Sequence, residues 1–548
     1  MKTKIISIIL LSAGLFTLPG CKKYLDINTD PDTTQEPSVS SVLPPILASM
    51  PYGVQRDAVY VAKYIQNWNT YANGNADNFD RHGYTFSGGT MAFTWQMTYQ
   101  MFGKNLNYVI EKSEKTGEYD YTAVGLALKA WSFQHTTDYN SDIPFYDAFD
   151  DSKLTFHYDT QETIYKAVDS ICRRALVFVD RAKAMPVSKL AKGDFSYNGN
   201  IDRWKKFIYG MLARNWHHLS NKTTYNADSV IKYCDNALSS VDDDFCVPFD
   251  ATNNDNSNYL GTFRDNMGTV RQSNFIVRLL DGSALTGVRS FANRDPRISH
   301  MLSASADTTN GNGGYRGVDP GIGDPNSAAT TGVNARSRVA IAYGDSLYAS
   351  PNPGVFVENG KYLYKNKAPM PVMTYSEICF IQAEAYMRKN NKNAAYLAYT
   401  NGIKAHFDFI NRNYSSIRGA VSIFNTTPIP VTARDKYLAS ACVPQTAAAL
   451  TMSDIMMQKY IALWAWGFFE TWVDLRRFHY RDLDPATLQQ VYRTFNFPSA
   501  FPATNNSKPV QRVRPHYTSE YTYNQAELVR LGILQTDYHT IECWFSQP

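Results

Sequence analysis

Beyond residue 20 the chain has no apolar run long enough to cross a bilayer, so no later segment reads as a transmembrane helix. Charge is also scarce, with charged residues at 19% and a formal net charge of only +4. So near-neutral a balance, without any basic stripe, gives no footprint for nucleic acid. Cysteine is sparse and unpatterned: seven occur, no C-x-x-C among them, and only Cys234 and Cys246 lie close together. A zinc site is not expected. There is no H-E-x-x-H, no G-x-S-x-G and no Walker loop, so no motif joins a nucleophile to its base or cradles a phosphate. These absences point to binding rather than catalysis, and no cofactor is expected.

What is present begins with an address. Lys2 and Lys4 precede a nearly unbroken apolar run from Ile5 to Phe16, ending in Leu18-Pro19-Gly20-Cys21. The run is too short to span, and reads as a cleavable signal over residues 1–20. A cysteine directly after Leu-x-Gly reads as a lipobox, with Cys21 acylated as the mature N-terminus; the alternative is an ordinary secretory signal with an incidental cysteine. Acyl chains on one residue would tether an otherwise soluble body to a membrane. The other six cysteines, Cys172, Cys234, Cys246, Cys379, Cys442 and Cys543, could pair in an exported protein. Since Cys172, Cys234 and Cys379 fall in helical patterns, buried free thiols are the expectation.

Residues 21–45 start with Cys-Lys-Lys-Tyr-Leu-Asp-Ile-Asn-Thr-Asp-Pro and turn Pro/Ser/Thr-rich, which predicts a tether running into an extended segment. From 46 to 548 there is length enough for several domains or one large one. Helical-period apolar windows cover 52–72, 91–114, 120–138, 160–183, 202–220, 226–240, 374–389, 392–411 and 452–478. Gly/Asn/Asp/Pro-rich stretches at about 242–373 and 412–450 read as loop insertions, the first with short strands, and residues 480–548 have a similar character. Two windows look alike. Trp204–Ser220, a turn at Asn221-Lys222 and a helix from Asn226-Ala227 parallel Ser376–Lys389, Asn391-Lys392 and a further helix. Small residues at Ala213, Ala383 and Ala385 would let a partner helix approach. Such units suggest degenerate tetratricopeptide-like repeats, with a plain helical bundle as the alternative.

Four motifs together resemble the SusD/RagB family of outer-membrane nutrient-binding lipoproteins. They are the start Cys21-Lys22-Lys23-Tyr24-Leu25-Asp26-Ile27-Asn28-Thr29-Asp30-Pro31, and Asp138-Tyr139-Asn140-Ser141-Asp142-Ile143-Pro144-Phe145-Tyr146-Asp147-Ala148, in which Ser141 stands where the family usually has Gly. The third is Met373-Thr374-Tyr375-Ser376-Glu377-Ile378-Cys379-Phe380-Ile381-Gln382-Ala383-Glu384-Ala385. The last runs from Tyr460 through Trp464, Gly467, Glu470 and Trp472 to Arg476-Arg477. The resemblance implies a mostly α fold of degenerate tetratricopeptide-like helical repeats with a large irregular loop-rich face. It also implies an outer-membrane, lipid-anchored protein at the cell exterior. Such a protein would bind oligosaccharide or peptide and deliver it to a SusC-type TonB-dependent transporter. The readings it must beat are a surface glycoside hydrolase or peptidase, and an adhesion or structural lipoprotein.

Asp138, Asp142 and Asp147 could form a glycosidase carboxylate pair, but they sit at a helix-to-loop transition where Asp commonly caps backbone amides. Asp26, Asn28, Asp30 and Asp32 alternate like an EF-hand start, yet Pro31 and Glu36 fail its geometry, so no metal site is expected. Glu377, Glu384, Glu470, Arg476 and Arg477 lie on apolar helices and read as a buried ion network. His217-His218 has no ligand partner at i+4.

Binding is therefore sought among aromatic and polar residues: aromatics make up 14% of the chain, with 37 Tyr. Residues 64–99 hold Tyr64, Trp68, Tyr71, Asn73, Asn75, Asn78, Tyr84, Trp95 and Tyr99, broken by glycines. A second cluster holds Tyr315, Arg316, Tyr343, Tyr348 and Phe356. Sugars offer C–H faces to rings and hydroxyls to Asn or Arg. Trp68, Tyr71, Asn73, Tyr84, Trp95, Tyr315, Arg316 and Tyr343 are the candidate ligand contacts, on the expectation that their rings stand exposed. The i, i+4 spacing of Trp95 and Tyr99 fits a core-facing helix stripe equally well.

Overall fold

A computed structural model of the chain describes residues 36–74, 77–86, 89–344, 360–414 and 428–548. The expected signal segment, Cys21 and the first part of the tether lie outside these residues. The longer elements are α1 (Val39–Tyr64), β1 (Trp68–Thr70), α2 (Gly103–Thr116), α3 (Tyr119–Asn140), α4 (Gln161–Lys183), α5 (Ile201–His218), α6 (Ala227–Asn236) and β2 (Phe245–Val247). They continue with β3 (Val270–Gln272), α7 (Asn274–Leu280), β4 (Met370–Met373), α8 (Tyr375–Arg388), α9 (Lys392–Phe409), α10 (Met452–Leu463), α11 (Phe468–Arg477), α12 (Tyr517–Tyr523) and α13 (Gln525–Arg530). The fold is mostly helical, with β1 antiparallel to β3 and β2 antiparallel to β4 as two-stranded ribbons.

The expected extended segment to residue 45 needs correction, because α1 begins at Val39 and takes in Pro44, Pro45 and Pro51. Its apolar face explains this. Val39, Leu43, Ile46, Leu47, Met50 and Val54 recur at helical spacing and are all buried, outweighing the amide donors that the prolines lack. The single window expected over 452–478 is two helices. Ala465 leaves the helical path at φ 67°, and its amide donates to Asn67 Oδ1 at 2.8 Å instead of continuing the ladder.

Consecutive helices pair in a repeat-like way: α3 against α4, α5 against α6, and α8 against α9, with α8 also meeting α6 and α10. The two look-alike windows start their second helices alike. Asn226 accepts from the Ser229 amide, and Asn391 from the Ala394 amide. Close approach between α8 and α9 depends on Gly402, where a Cβ would come within 2.9 Å of the Phe380 ring. Helix α3 is buried on nearly every side. The six described cysteines are unpaired, and all but the half-buried Cys246 are buried.

Through the middle of these helices runs a chain of buried charges. Arg214 on α5 pairs with Glu377 on α8 at 2.5 Å and reaches Glu470 on α11 at 3.7 Å. His218 lies between Glu470, 2.9 Å from Nε2, and Asp138 on α3, 3.3 Å from Nδ1. Tyr165 on α4 donates to Asp138. A second arm joins Arg477 to Glu384 at 2.8 Å and Asp474 at 2.6 Å, with Lys459 on Asp474 and His217 on Glu384. Arg476 instead lies over the Trp472 ring at 3.9 Å and donates to the Asp138 and Gln511 carbonyls. Although three side chains, Asp138, His218 and Glu470, converge as metal ligands would, the imidazole uses opposite nitrogens on the two carboxylates. That arrangement is an ion triad. Burial alone would push the His218 imidazole down, but the Glu470 and Asp138 carboxylates outweigh it and hold it up at about 9.

Asp142 Oδ1 accepts the Gln161 amide at the start of α4, and Asp147 pairs with Lys153 at 2.6 Å. Ser141, between them in sequence and α3, has φ 72° and ψ −120°, a conformation that glycine takes freely and serine does not.

Two outcomes follow from this packing. Ser141→Gly should raise stability by about 1 kcal/mol, read as a higher Tm, because it relieves a backbone that costs roughly 1–3 kcal/mol in other residues. Glu470→Gln leaves Arg214 and His218 short of a buried partner and should cost about 3–5 kcal/mol in denaturant unfolding. The stabilisation from charged His218 is complete below its unfolded value near 6.5 and lost as pH rises through about 9. Tm should therefore fall more steeply between neutral and alkaline pH in the native protein than in His218→Gln; parallel profiles would contradict the triad.

Candidate functional site

The two aromatic and polar clusters, some 250 residues apart in sequence, meet in space. Ribbon β1–β3 sets Trp68 opposite Gln272, Asn69 opposite Arg271 and Thr70 opposite Val270. Beyond it Tyr71 donates its amide to the Thr269 carbonyl, and the Asp324 amide donates to the Tyr71 carbonyl at 2.8 Å. Ala72 and Asp324 form a parallel bridge, and the Gly74 amide reaches the Ile322 carbonyl at 3.2 Å. Gly323 makes this approach possible. Its φ is 79°, and a Cβ there would stand 2.3 Å from the Ala72 carbonyl oxygen.

Side chains lock the junction. Tyr71 Oη donates to the Ser327 carbonyl at 3.1 Å and accepts from Arg338 Nε at 2.7 Å. Ser327 Oγ accepts the Asn73 amide. The buried Asp324 carboxylate accepts the Asn326 and Val339 amides, each at 2.8 Å. From the far side of the strand pair, the Arg271 guanidinium covers the Tyr71 ring at 4.0 Å from its centre. Tyr71 is half-buried and Asn73 exposed, so both candidates reach the surface here.

The expectation of exposed rings fails for most of the others. Trp68 is 1% exposed, wedged edge-on against Phe468 of α11, because strand alternation turns it toward the helices. Trp95 packs on Tyr99 and Tyr158, the core arrangement that its i, i+4 spacing also allowed. Tyr315 is buried, its carbonyl taking both Asn310 and Asn312 amides. Tyr343 is buried and accepts the Met267 amide at 3.2 Å. Arg316, half-buried, is spent on Asp307, at 2.7 Å through Nη2, and on its carbonyl. Tyr84 is half-buried and stacks on His539 at 5.5 Å. Asn75, Tyr348 and Phe356 lie outside the described residues.

Residues not singled out by sequence complete the face. Arg271, Asp324, Ser327 and Arg338 sit within the long glycine-rich loop, whose turn density was the available signal. In the first cluster the accessible ring is Phe86, 44% exposed, which meets Tyr517 edge-on at 4.7 Å and Tyr521 at 4.6 Å. The junction is held to the helical body by Asn67. Its side-chain amide donates to Tyr460 Oη at 3.0 Å, and Tyr460 Oη donates in turn to the Ile65 and Gln66 carbonyls.

Residues 31–499 match the SusD-like family model described as starch-binding and associating with the outer membrane, and the chain belongs to the SusD/RagB family. Among solved structures, the chain is similar to a chitin-binding protein at 18% identity and a TM-score of 0.67, covering 93% of this chain and 100% of that one. A SusD homolog from Bacteroides fragilis also shares 18% identity, with a TM-score of 0.67 over 92% of this chain and 99% of its own. A chitin-binding SusD homolog from Flavobacterium johnsoniae shares 17%, with a TM-score of 0.64 over 93% and 98%. No curated protein matches the sequence.

The burial of Trp68 has a direct check. Trp68→Ala should cost about 3–5 kcal/mol of stability, the scale of an emptied aromatic core site. A Tm close to that of the native protein would show instead that the ring is dispensable to the core.

Proposed function

We propose that the protein is a lipid-anchored, outward-facing component of the outer membrane that binds oligosaccharide and passes it to a SusC-type TonB-dependent transporter. The observation that carries this reading is the match of residues 31–499 to a family described as starch-binding and associating with the outer membrane. Two solved relatives named as chitin-binding favour a glycan over a peptide as the ligand. Cys21 is the proposed acylation point. None of the helices among the described residues is long and apolar enough to cross a membrane. The helix pairs are proposed as degenerate tetratricopeptide units facing away from the ligand.

Binding without turnover is the proposed activity. Asp142 and Asp147, the carboxylates nearest to a glycosidase reading, are engaged by the Gln161 amide and Lys153, and Asp138 by Tyr165 and His218. An exposed Phe86–Tyr517 pair offers rings on which the C–H face of a sugar can pack.

The test is a glycan and peptide array probed with residues 22–548, followed by calorimetry and a hydrolysis assay. Glycan hits without turnover are expected, and Phe86→Ala should weaken binding by about 1–3 kcal/mol while Tm barely moves. Cys21→Ala should leave the membrane fraction. Hits confined to peptides, or hydrolysis abolished by Asp142→Asn, would overturn the reading.

A further inference from the structure

Of the buried arginines, Arg214, Arg297 and Arg477 each lie within 2.8 Å of a carboxylate, whereas Arg271, Arg476, Arg512 and Arg514 donate to backbone carbonyls. At the loop junction two guanidinium groups, buried Arg271 and half-buried Arg338, stand side by side without an ion pair among the described residues. Arg271 is only 8% exposed, yet its Nε and Nη1 donate to the carbonyls of Val339, Gly268 and Val270. Arg338 spends Nε on Tyr71 Oη, and its two Nη groups donate to none of the described residues. Both guanidinium groups lie near the same ring, with Arg338 at 5.6 Å from its centre. Burial pulls Arg271 below its ordinary pKa, with the Arg338 charge acting in the same direction and the Asp324 carboxylate against it.

The surrounding acids are already engaged. Asp324, 1% exposed, caps two backbone amides. Asp77 and Asp80 face Lys63 at 2.7 and 3.9 Å, and Asp319 faces Arg278 at 3.4 Å and Asn274 at 2.8 Å. Arg81, exposed, runs past Gly321 at the edge of the junction and has no ion pair among the described residues. Arg338 is left with a free pair of donors beside a second guanidinium, and an anion from outside is the partner that this arrangement can still take.

We infer that the Tyr71–Arg271–Arg338 junction binds an oxyanion carried by the glycan, a uronate carboxylate or a sulfate ester. The inference rests on the glycan-binding reading and specifies its ligand as acidic. The free Nη pair of Arg338 presents the planar fork that accepts two oxygens at once. The Tyr71 ring is covered by Arg271 and so fixes Arg338 through its hydroxyl rather than stacking on a sugar. Exposed Asn73 at the rim supplies contacts to neighbouring hydroxyls.

The test is affinity electrophoresis of residues 22–548 in native gels containing polygalacturonate or dextran sulfate, each beside its neutral twin, methyl-esterified pectin or dextran. One anionic polymer should retard the protein while its twin does not, the retardation fading with salt. Which polymer acts separates carboxylate from sulfate. Arg338→Gln should weaken retardation roughly tenfold, and Arg338→Lys, which keeps the charge but loses the fork, should fall between. Arg174→Gln, an exposed pair with Glu114 elsewhere, should behave as the native protein, and all should share its Tm. Equal retardation by the neutral twins, none by either anionic polymer, or an unaltered Arg338→Gln overturns the oxyanion assignment. Glycan-array hits in the presence of any of these results would leave the glycan reading standing, whereas an array without glycan hits removes both.

Discussion

Everything in this molecule leans on the bridge from Arg214 through Glu470 to His218 and Asp138. Those four groups belong to three helices, with Arg214 and His218 on α5, Glu470 on α11 and Asp138 on α3, and Glu377 brings in a fourth, α8. Apolar packing holds helices together without specifying one relative setting of them. A charge taken out of water is less forgiving, because each displaced partner leaves another unpaired. The network therefore acts as a register mark among the helices, and the sequence motifs that carry the family resemblance run through it: Asp138, Glu377, Glu384, Glu470 and Arg477 all belong.

The loop-rich face inherits its position from that body. Asn67 bonds to Tyr460 and to the amide at the α10–α11 break, and Trp68 drives into Phe468 one step further on. Residues 71–74 thus leave the core from a fixed point, and the segment 322–339 is laid against them by backbone bonds. Rigid anchoring on one side and loop construction on the other is how many binding faces combine precision with variability.

Helices were legible in the chain because apolar spacing is a local property. The buried ion network was legible too, since charges at apolar helix positions have few other fates. Exposure of individual rings was not. Trp68 and Phe86 belong to the same aromatic cluster, and composition cannot say that the first lies on the inward side of a strand while the second emerges at a loop. The Pro/Ser/Thr content before residue 46 likewise concealed the first turns of α1, whose apolar spacing was the better guide. Arg271 and Arg338 escaped notice for another reason. Neither is unusual locally, and what distinguishes them is the lack of a carboxylate partner, a property of the folded neighbourhood.

The pairing of β1 with β3 and of Ala72 with Asp324 joins segments separated by some two hundred residues or more. Contacts so distant along the chain close late in folding, after the neighbouring helix pairs whose contacts are local. The face thus forms after those local helix pairs. As the chain is made from its N-terminus, Tyr71 and Asn73 appear early, but they remain separate from their partners until residues up to 339 have followed. A chain that ends short of these residues therefore has the helices of the body but not the junction that the loops build on it.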